Sequence, residues 1–283
     1  MKLSKKGYQY LKFETDKEYA DWISKVRWYE SGLAYGEYLL VDAPCLENYD
    51  LYIETVEYGL IPLADRGYPV IRNNHAGKIK PRNLEQRLAM DMLRDPESTI
   101  KLLGGNAGTG KTFLMVNRAL EMIDKGLKDK IIFVRTNYEV KTVKPMGYLP
   151  GDLNEKMAPW LGPFYDVMGD PIMVDVMKQK GTLEIVPLNY MRGRSFDNAI
   201  IFVTEGQNID TYGIKLLVSR VGENSELWVD FDLDQVDDKA FERDNGIVSI
   251  VESLYDFAEF AYVELNKCER SRTAQLAAMI EKH

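Results

Sequence analysis

The chain has 283 residues, a formal net charge of -8, 45% hydrophobic and 28% charged residues. Those are the proportions of a globular protein long enough to bury a sizeable core. The acidic balance excludes a protein that coats nucleic acid through its overall field, so any polynucleotide contact must come from a local basic patch. Two cysteines, Cys45 and Cys268, match no metal or redox spacing, and two histidines leave little for a zinc site or a His-based catalytic machine. No apolar run approaches the roughly 20 residues that span a bilayer. No apolar segment follows the basic start MKLSKKGYQYLKFE, so a cytoplasmic protein without a secretory signal is expected.

Along the chain, residues 1–77 read as an accessory region of unknown role, rich in Tyr and acids. Within it TDKEYADWISKVRWYESG predicts a helix. Thr15 and Glu18 have capping-box spacing, and Tyr19, Trp22, Ile23 and Val26 share one face. LYIETVEYGLIPLADRGYPV predicts a short strand or two. IRNNHAGKIKPRN, with Gly, Pro and four cations, reads as a linker or exposed loop.

From residue 78 to 283 the rhythm changes to alternating helix and strand. NLEQRLAMDMLR is helical. Six short apolar runs follow as buried strands: TIKLLGG, KIIFVRT, TLEIVPL, AIIFVTE, ELWVDFD and FAYVEL. Helices are expected over 111–125, 209–220, 246–257 and 270–281. The alternation predicts an α/β fold, a mostly parallel sheet flanked by helices, joined to a small α+β N-terminal region. In such a sheet ligands bind at the carboxyl ends of the strands.

At that edge lies GNAGTGKT, Gly105 to Thr112, which fills every fixed position of G-x-x-x-x-G-K-[ST] between a strand and a helix. Gly105, Gly108 and Gly110 let backbone N–H groups converge on phosphate oxygens, together with Asn106, Ala107 and Thr109. Lys111 is expected on the β- and γ-phosphates of ATP and Thr112 on Mg²⁺, with Phe113 counted among the nucleotide-binding residues. Glu205 ends the strand AIIFVTE and is the general-base candidate. Thr204 stands before it and cannot supply charge to a metal, so Asp232, in ELWVDFDLDQVD, is a second candidate on the metal side.

The segments NLEQ, GNAGTGKT, GYLPGD, EKMAPWLGPFYD, LEIVPLNYMRGRSFDNAIIFVTEGQN, SRVGENSELWVDFDLDQVD and ERSRTAQLAAMI occur in the order of the PhoH-like P-loop ATPases. The chain resembles that family over about residues 78–281. The family is similar to a single RecA-like domain of superfamily 1 helicases. By that resemblance Gln86 reads adenine, Glu205 and Gln207 belong to a D-E-A-Q segment, and Gln235 senses the γ-phosphate. Arg270 contacts phosphate, and Arg220 stabilises charge in cis or across a subunit interface. Two departures stand out: Thr204 replaces an aspartate on the Mg²⁺ side, and Phe231 replaces a glycine. A homo-oligomer follows from the resemblance, hexameric rings included, because one RecA-like domain leaves a composite site incomplete. In a phage-encoded member the compartment is the host cytoplasm.

For single-stranded RNA or DNA the candidate contacts are Arg135, Asn137, Lys141 and Lys144, then Arg192 and Arg194 in NYMRGRSF. Tyr138 and Tyr190 stand ready to stack on bases. The reading that unites these features is a helicase-like ATPase that remodels single-stranded nucleic acid. The alternatives are a nucleotide-gated assembly protein with vestigial hydrolysis, and a kinase.

Overall fold

The computed structural model describes residues 3–26, 29–135 and 158–269. The expected helix over 270–281, with Arg270, and the candidates Asn137, Tyr138, Lys141 and Lys144 lie outside the described residues.

The N-terminal region opens with β1 (Tyr8–Lys12), α1 (Asp16–Ile23), β2 (Tyr38–Asp42), β3 (Asp50–Thr55) and β4 (Gly59–Pro62). They form a four-stranded sheet in the order β1-β2-β3-β4. The expected capping box is present at α1: the Thr15 hydroxyl accepts from the Glu18 N–H, and the Glu18 carboxylate accepts from the Thr15 N–H. Both faces of this sheet are covered. Leu39, Val41, Tyr52 and Leu60 pack with Tyr19 and Trp22, while the alternate residues Tyr38, Leu40, Leu51 and Ile53 join the main core. Ile23, expected on the packed face of α1, is exposed instead.

The segment expected to be a linker is a hairpin, β5 (Ile71–Asn73) and β6 (Gly77–Ile79). It is docked on the helix that follows the phosphate loop. The Asn73 amide donates to the Asn117 carbonyl and side chain, the Arg72 N–H to Glu121 and the Asn74 N–H to Asp124. Ile71 is fully buried. The polar residues that suggest a linker are the ones that fasten the hairpin through hydrogen bonds, beside the apolar anchors Ile71 and Ile79.

The remaining elements are α2 (Leu84–Met92), β7 (Ile100–Gly105), α3 (Lys111–Asp124), β8 (Lys130–Arg135), α4 (Gly162–Met168), α5 (Pro171–Gln179), β9 (Leu183–Pro187), β10 (Ala199–Thr204), α6 (Thr211–Val218), β11 (Glu226–Asp230), α7 (Lys239–Arg243), α8 (Gly246–Leu254) and β12 (Phe260–Leu265). All six expected strands form one sheet in the order β12-β7-β11-β10-β8-β9, parallel at every pairing. Successive side chains alternate between two apolar layers. Phe133, Phe202 and Trp228 face α2, α3 and α4, whereas Val134, Val203 and Val229 face α6 and α8. Burial on both faces is why these strands read as continuous apolar runs. The architecture is the α/β, RecA-like P-loop arrangement expected. Its order places β11 between the phosphate-loop strand β7 and the Glu205 strand β10.

Candidate nucleotide site

The loop from Gly105 to Gly110 joins β7 to α3 and opens onto a cleft of about 820 Å³. Two glycines are dictated by their surroundings. Gly105 has φ +115°, and a Cβ there would collide with the Leu265 carbonyl. Gly110 has φ +96°, and a Cβ would lie 2.9 Å from Gln86 Nε2. Lys111 at the head of α3 donates to the Gly105 and Asn106 carbonyls at 2.6 and 2.9 Å, which holds its ammonium across the loop. Thr109 is buried, and its hydroxyl donates to the Asn106 carbonyl. Phe113 is exposed on the cleft wall beside Ala107 and Gly108.

Gln86 braces the loop from α2. Its amide N–H donates to the Thr109 carbonyl at 2.9 Å, and its oxygen accepts from the Arg82 N–H at 3.0 Å. It lines the cleft together with Lys78, Lys80 and Arg82, cations of the stretch expected to be a linker or exposed loop. At the far side of the loop the Glu269 N–H donates to the Gly108 carbonyl at 2.9 Å, and Asn83 holds the Glu269 carboxylate at 2.7 Å.

The acids come from neighbouring strand ends. Glu205 follows β10 in the left-handed region, at φ 58° and ψ 41°, a conformation that costs a side-chain-bearing residue free energy and that concentrates at functional sites. Its carboxylate is exposed to the cleft and accepts from Gln207 Nε2 at 2.6 Å. Gln207 itself is 1% exposed. It also donates to the Gln235 carbonyl and accepts from the Asp232 N–H. Gln207 therefore positions Glu205 and ties the end of β10 to the turn after β11. Gln235 lines the cleft and donates to Asp232 Oδ2 at 2.7 Å. The other Asp232 oxygen accepts from the Asp234 N–H, so both oxygens cap the turn.

The acid that touches the phosphate loop is Asp230, which sequence reasoning passed over. Thr112 Oγ1 donates to Asp230 Oδ2. The Glu205 N–H donates to Asp230 Oδ1 at 3.1 Å. Burial pushes the Asp230 carboxyl up to about 6, against the pull of the Thr112 hydroxyl and the Lys111 ammonium. Thr204 is buried, and its hydroxyl has no hydrogen-bond partner. Phe231 lies over the bare face of Gly104, where a Cβ would come within 2.6 Å of the ring, and stacks on Tyr262. An aromatic ring fits at 231 because residue 104 is glycine.

The basic candidates divide between the two sheet edges. Arg135 ends β8 beside Thr204 in register, with its guanidinium 6.0 Å from the Trp160 ring centroid. Arg192 follows β9 and donates to the Tyr212 hydroxyl at 2.7 Å. Exposed Tyr190 lies in the same turn. Arg194 instead forms a two-pronged pair with Glu184, near the start of β9. Arg220 donates to the Arg194 carbonyl, and its own carbonyl accepts from Phe196 just ahead of β10. Both sit at the amino edge of the sheet. Arg220 therefore stands at the edge opposite the phosphate loop, which lies at the carboxyl end of β7.

Among the described residues no helix is long and apolar enough to cross a membrane. The family model described as PhoH-like protein matches residues 78–282. A protein named PhoH2 from Thermobispora bispora is 38% identical over 202 residues, covering 70% of this chain and 46% of the relative. PhoH2 of Mycolicibacterium smegmatis is 34% identical over 209 residues, 72% of this chain and 48% of the relative. A PhoH-like protein of Bacillus subtilis is 34% identical over 182 residues, 63% of this chain and 56% of the relative. The chain spans about half the length of these relatives. With a phosphate loop of this geometry on a parallel sheet and a family match over residues 78–282, the chain belongs to the PhoH-like family of P-loop NTPases.

Proposed function

We propose that residues 78–283 form an ATPase domain that binds ATP with Mg²⁺ and hydrolyses it, coupling turnover to remodelling of single-stranded RNA or DNA. The observation that carries this reading is Glu205, held in a strained left-handed conformation with its carboxylate aimed by Gln207 at the phosphate-loop cleft. A carboxylate placed there is suited to orient the attacking water and accept its proton. Lys111 and the loop N–H groups bind the phosphates, and Lys78, Lys80 and Arg82 add positive charge along the cleft. In this reading Gln86 meets the base and Gln235 faces the γ-phosphate; both line the cleft.

Among the described residues no group of three or more His, Cys, Asp or Glu gathers to hold a metal by itself. Mg²⁺ bound through nucleotide phosphates and retained waters needs only one or two protein oxygens. The Thr112 hydroxyl and a buried carboxylate at its side fit that demand. Bound there, the metal would neutralise charge developing on the phosphates.

The arginine that completes the site comes from a neighbouring copy in this reading, since Arg220 lies at the other sheet edge, and a ring of copies supplies it. Nucleic acid lies across the carboxyl edge, against Arg135 with Trp160 and Arg192 with Tyr212. One observation favours the second reading, a nucleotide-gated assembly protein with slow turnover: the end of β10 carries an uncharged, unpartnered Thr204.

The test is steady-state phosphate release from Mg-ATP, with and without single-stranded RNA or DNA, for the wild type, Lys111→Ala and Glu205→Gln. Turnover that rises with polynucleotide and vanishes in both variants is the expected result. Nucleotide binding without turnover under every condition would favour the assembly protein.

A further inference from the structure

The end of β10 and the end of β11 lie side by side. Their last paired residues are Val203 and Val229, so the next position on each strand brings Thr204 beside Asp230. Thr204 is buried, and its hydroxyl meets no partner. Asp230 is buried too, and its two oxygens accept from the phosphate-loop Thr112 hydroxyl and from the Glu205 N–H. The direction of the Thr112 bond matters. A hydroxyl has one hydrogen and two lone pairs. With the hydrogen committed to Asp230, the lone pairs are left for a cation. Asp232 has no such link, because its oxygens cap the turn that contains Asp234 and Gln235.

We propose that Asp230 supplies the metal-side carboxylate that the end of β10 lacks, so that the acid has moved one strand across the sheet while keeping its place beside Thr112. The inference rests on the Mg-ATP reading above and deepens it. Asp230 orients the Thr112 hydroxyl as a ligand and offers its remaining lone pairs to waters carried by the cation. Through the Glu205 N–H it also fixes the left-handed turn that presents the general base. The two acids of the site then stand on adjacent strands rather than in adjacent positions of one strand. Thr204 fills the space that a second buried carboxylate would otherwise contest with Asp230.

The test is the affinity for a non-hydrolysable ATP analogue, measured by calorimetry in excess Mg²⁺ and in EDTA. The proteins are the wild type, Asp230→Asn, Asp232→Asn, Thr204→Asp and the exchange Thr204→Asp/Asp230→Thr. The wild type is expected to gain affinity with Mg²⁺. Asp230→Asn should lose that gain by about tenfold or more, the usual effect of removing a group that orients a metal ligand, with its affinity in EDTA retained. The exchange should recover most of the gain, and Thr204→Asp alone should not exceed the wild type. A thermal melt accompanies each variant; if Asp230→Asn does not fold, recovery or loss in the exchange decides. Asp230→Asn retaining the wild-type gain, or Asp232→Asn abolishing it in its place, would overturn the inference and leave the Mg-ATP reading intact. A wild type that binds the analogue equally with and without Mg²⁺ would overturn both.

Discussion

Gln207→Glu changes one atom of a buried side chain and reverses its role. In the native site the Gln207 amide donates to the Glu205 carboxylate at 2.6 Å and to the Gln235 carbonyl at 3.3 Å. A carboxylate at 207 can donate to neither. Two like charges about 4 Å apart repel by about 4 kcal/mol at an effective dielectric of 20. Glu205 is exposed and can turn toward solvent, which relieves part of this repulsion. What remains is a buried carboxylate that keeps only the Asp232 N–H as a partner, a loss of about 1–3 kcal/mol. The expected destabilisation at pH 8 is therefore about 2–4 kcal/mol. For a chain of this size that lowers Tm by at least about 4 °C. The sign of the pH dependence follows from linkage. The variant carboxyl binds its proton more tightly folded than unfolded, so stability is lost as pH rises and regained on acidification. At pH 5 the protonated carboxyl of the variant can donate to Glu205 again, and most of the deficit should disappear. Gln207→Met, which cannot ionise, should be destabilised equally at both pH values. Thermal melts of the three proteins at pH 5 and pH 8 decide the matter. A Gln207→Glu protein with the Tm of the wild type at pH 8 would mean that the amide does not hold Glu205. Where the protein stays folded, kcat should fall with little change in KM, because the phosphate loop is untouched.

Glu205→Gly should abolish ATP turnover yet cost at most about 1–2 kcal/mol, since glycine adopts the left-handed conformation without strain, which offsets part of the loss of the Gln207 amide's acceptor; paired activity and denaturant measurements check it. Lys101→Met breaks a buried pair, because the Lys101 ammonium lies 2.7 Å from Glu226 at the amino end of the central strands. The cost should be about 3 kcal/mol, the low end for such a loss, because Lys128 and Trp228 still reach Glu226. Adding Glu226→Leu should recover part of it in urea titrations. Gly104→Ala drives a methyl into the Phe231 ring and should cost about 1–3 kcal/mol. Pairing it with Phe231→Leu should lessen that cost, and two unrelated, additive effects would refute the contact.

The six core strands were legible because each is buried on both faces and so leaves an unbroken apolar run, and the phosphate loop because its chemistry is local. Glu205 was legible as the end of one such run. Asp230 was not. Its meaning depends on Thr112, and only the strand order, which no local pattern encodes, brings the two together. The sequence marks Gln207 as part of the site but not its bonds to Glu205 and to the turn after β11, which depend on the neighbouring strand. The hairpin at Ile71–Ile79 reads as a linker because most of the residues between its two isoleucines are polar or glycine. In the fold buried Ile71, exposed Arg72 and buried Asn73 alternate, but Asn73 is polar, so the sequence shows no apolar alternation there. Arg194 and Arg220 show the converse difficulty. Charge marks them as ligand contacts, yet nothing in a residue's identity says which end of a strand it occupies.

The pairing of β7 with β11 and β12 also sets a timetable. The strand that carries the phosphate loop is made early, and both of its neighbours come late. At synthesis rates of about 5–20 residues per second, β7 waits on the order of ten seconds before β11 leaves the ribosome, and longer for β12. The Leu265 carbonyl that fixes the shape of Gly105 arrives last of all. During that interval the nascent chain has an exposed hydrophobic strand and no formed cradle, so cellular ATP cannot guide its folding. Chaperone demand in this protein should therefore track the time between synthesis of β7 and synthesis of β12.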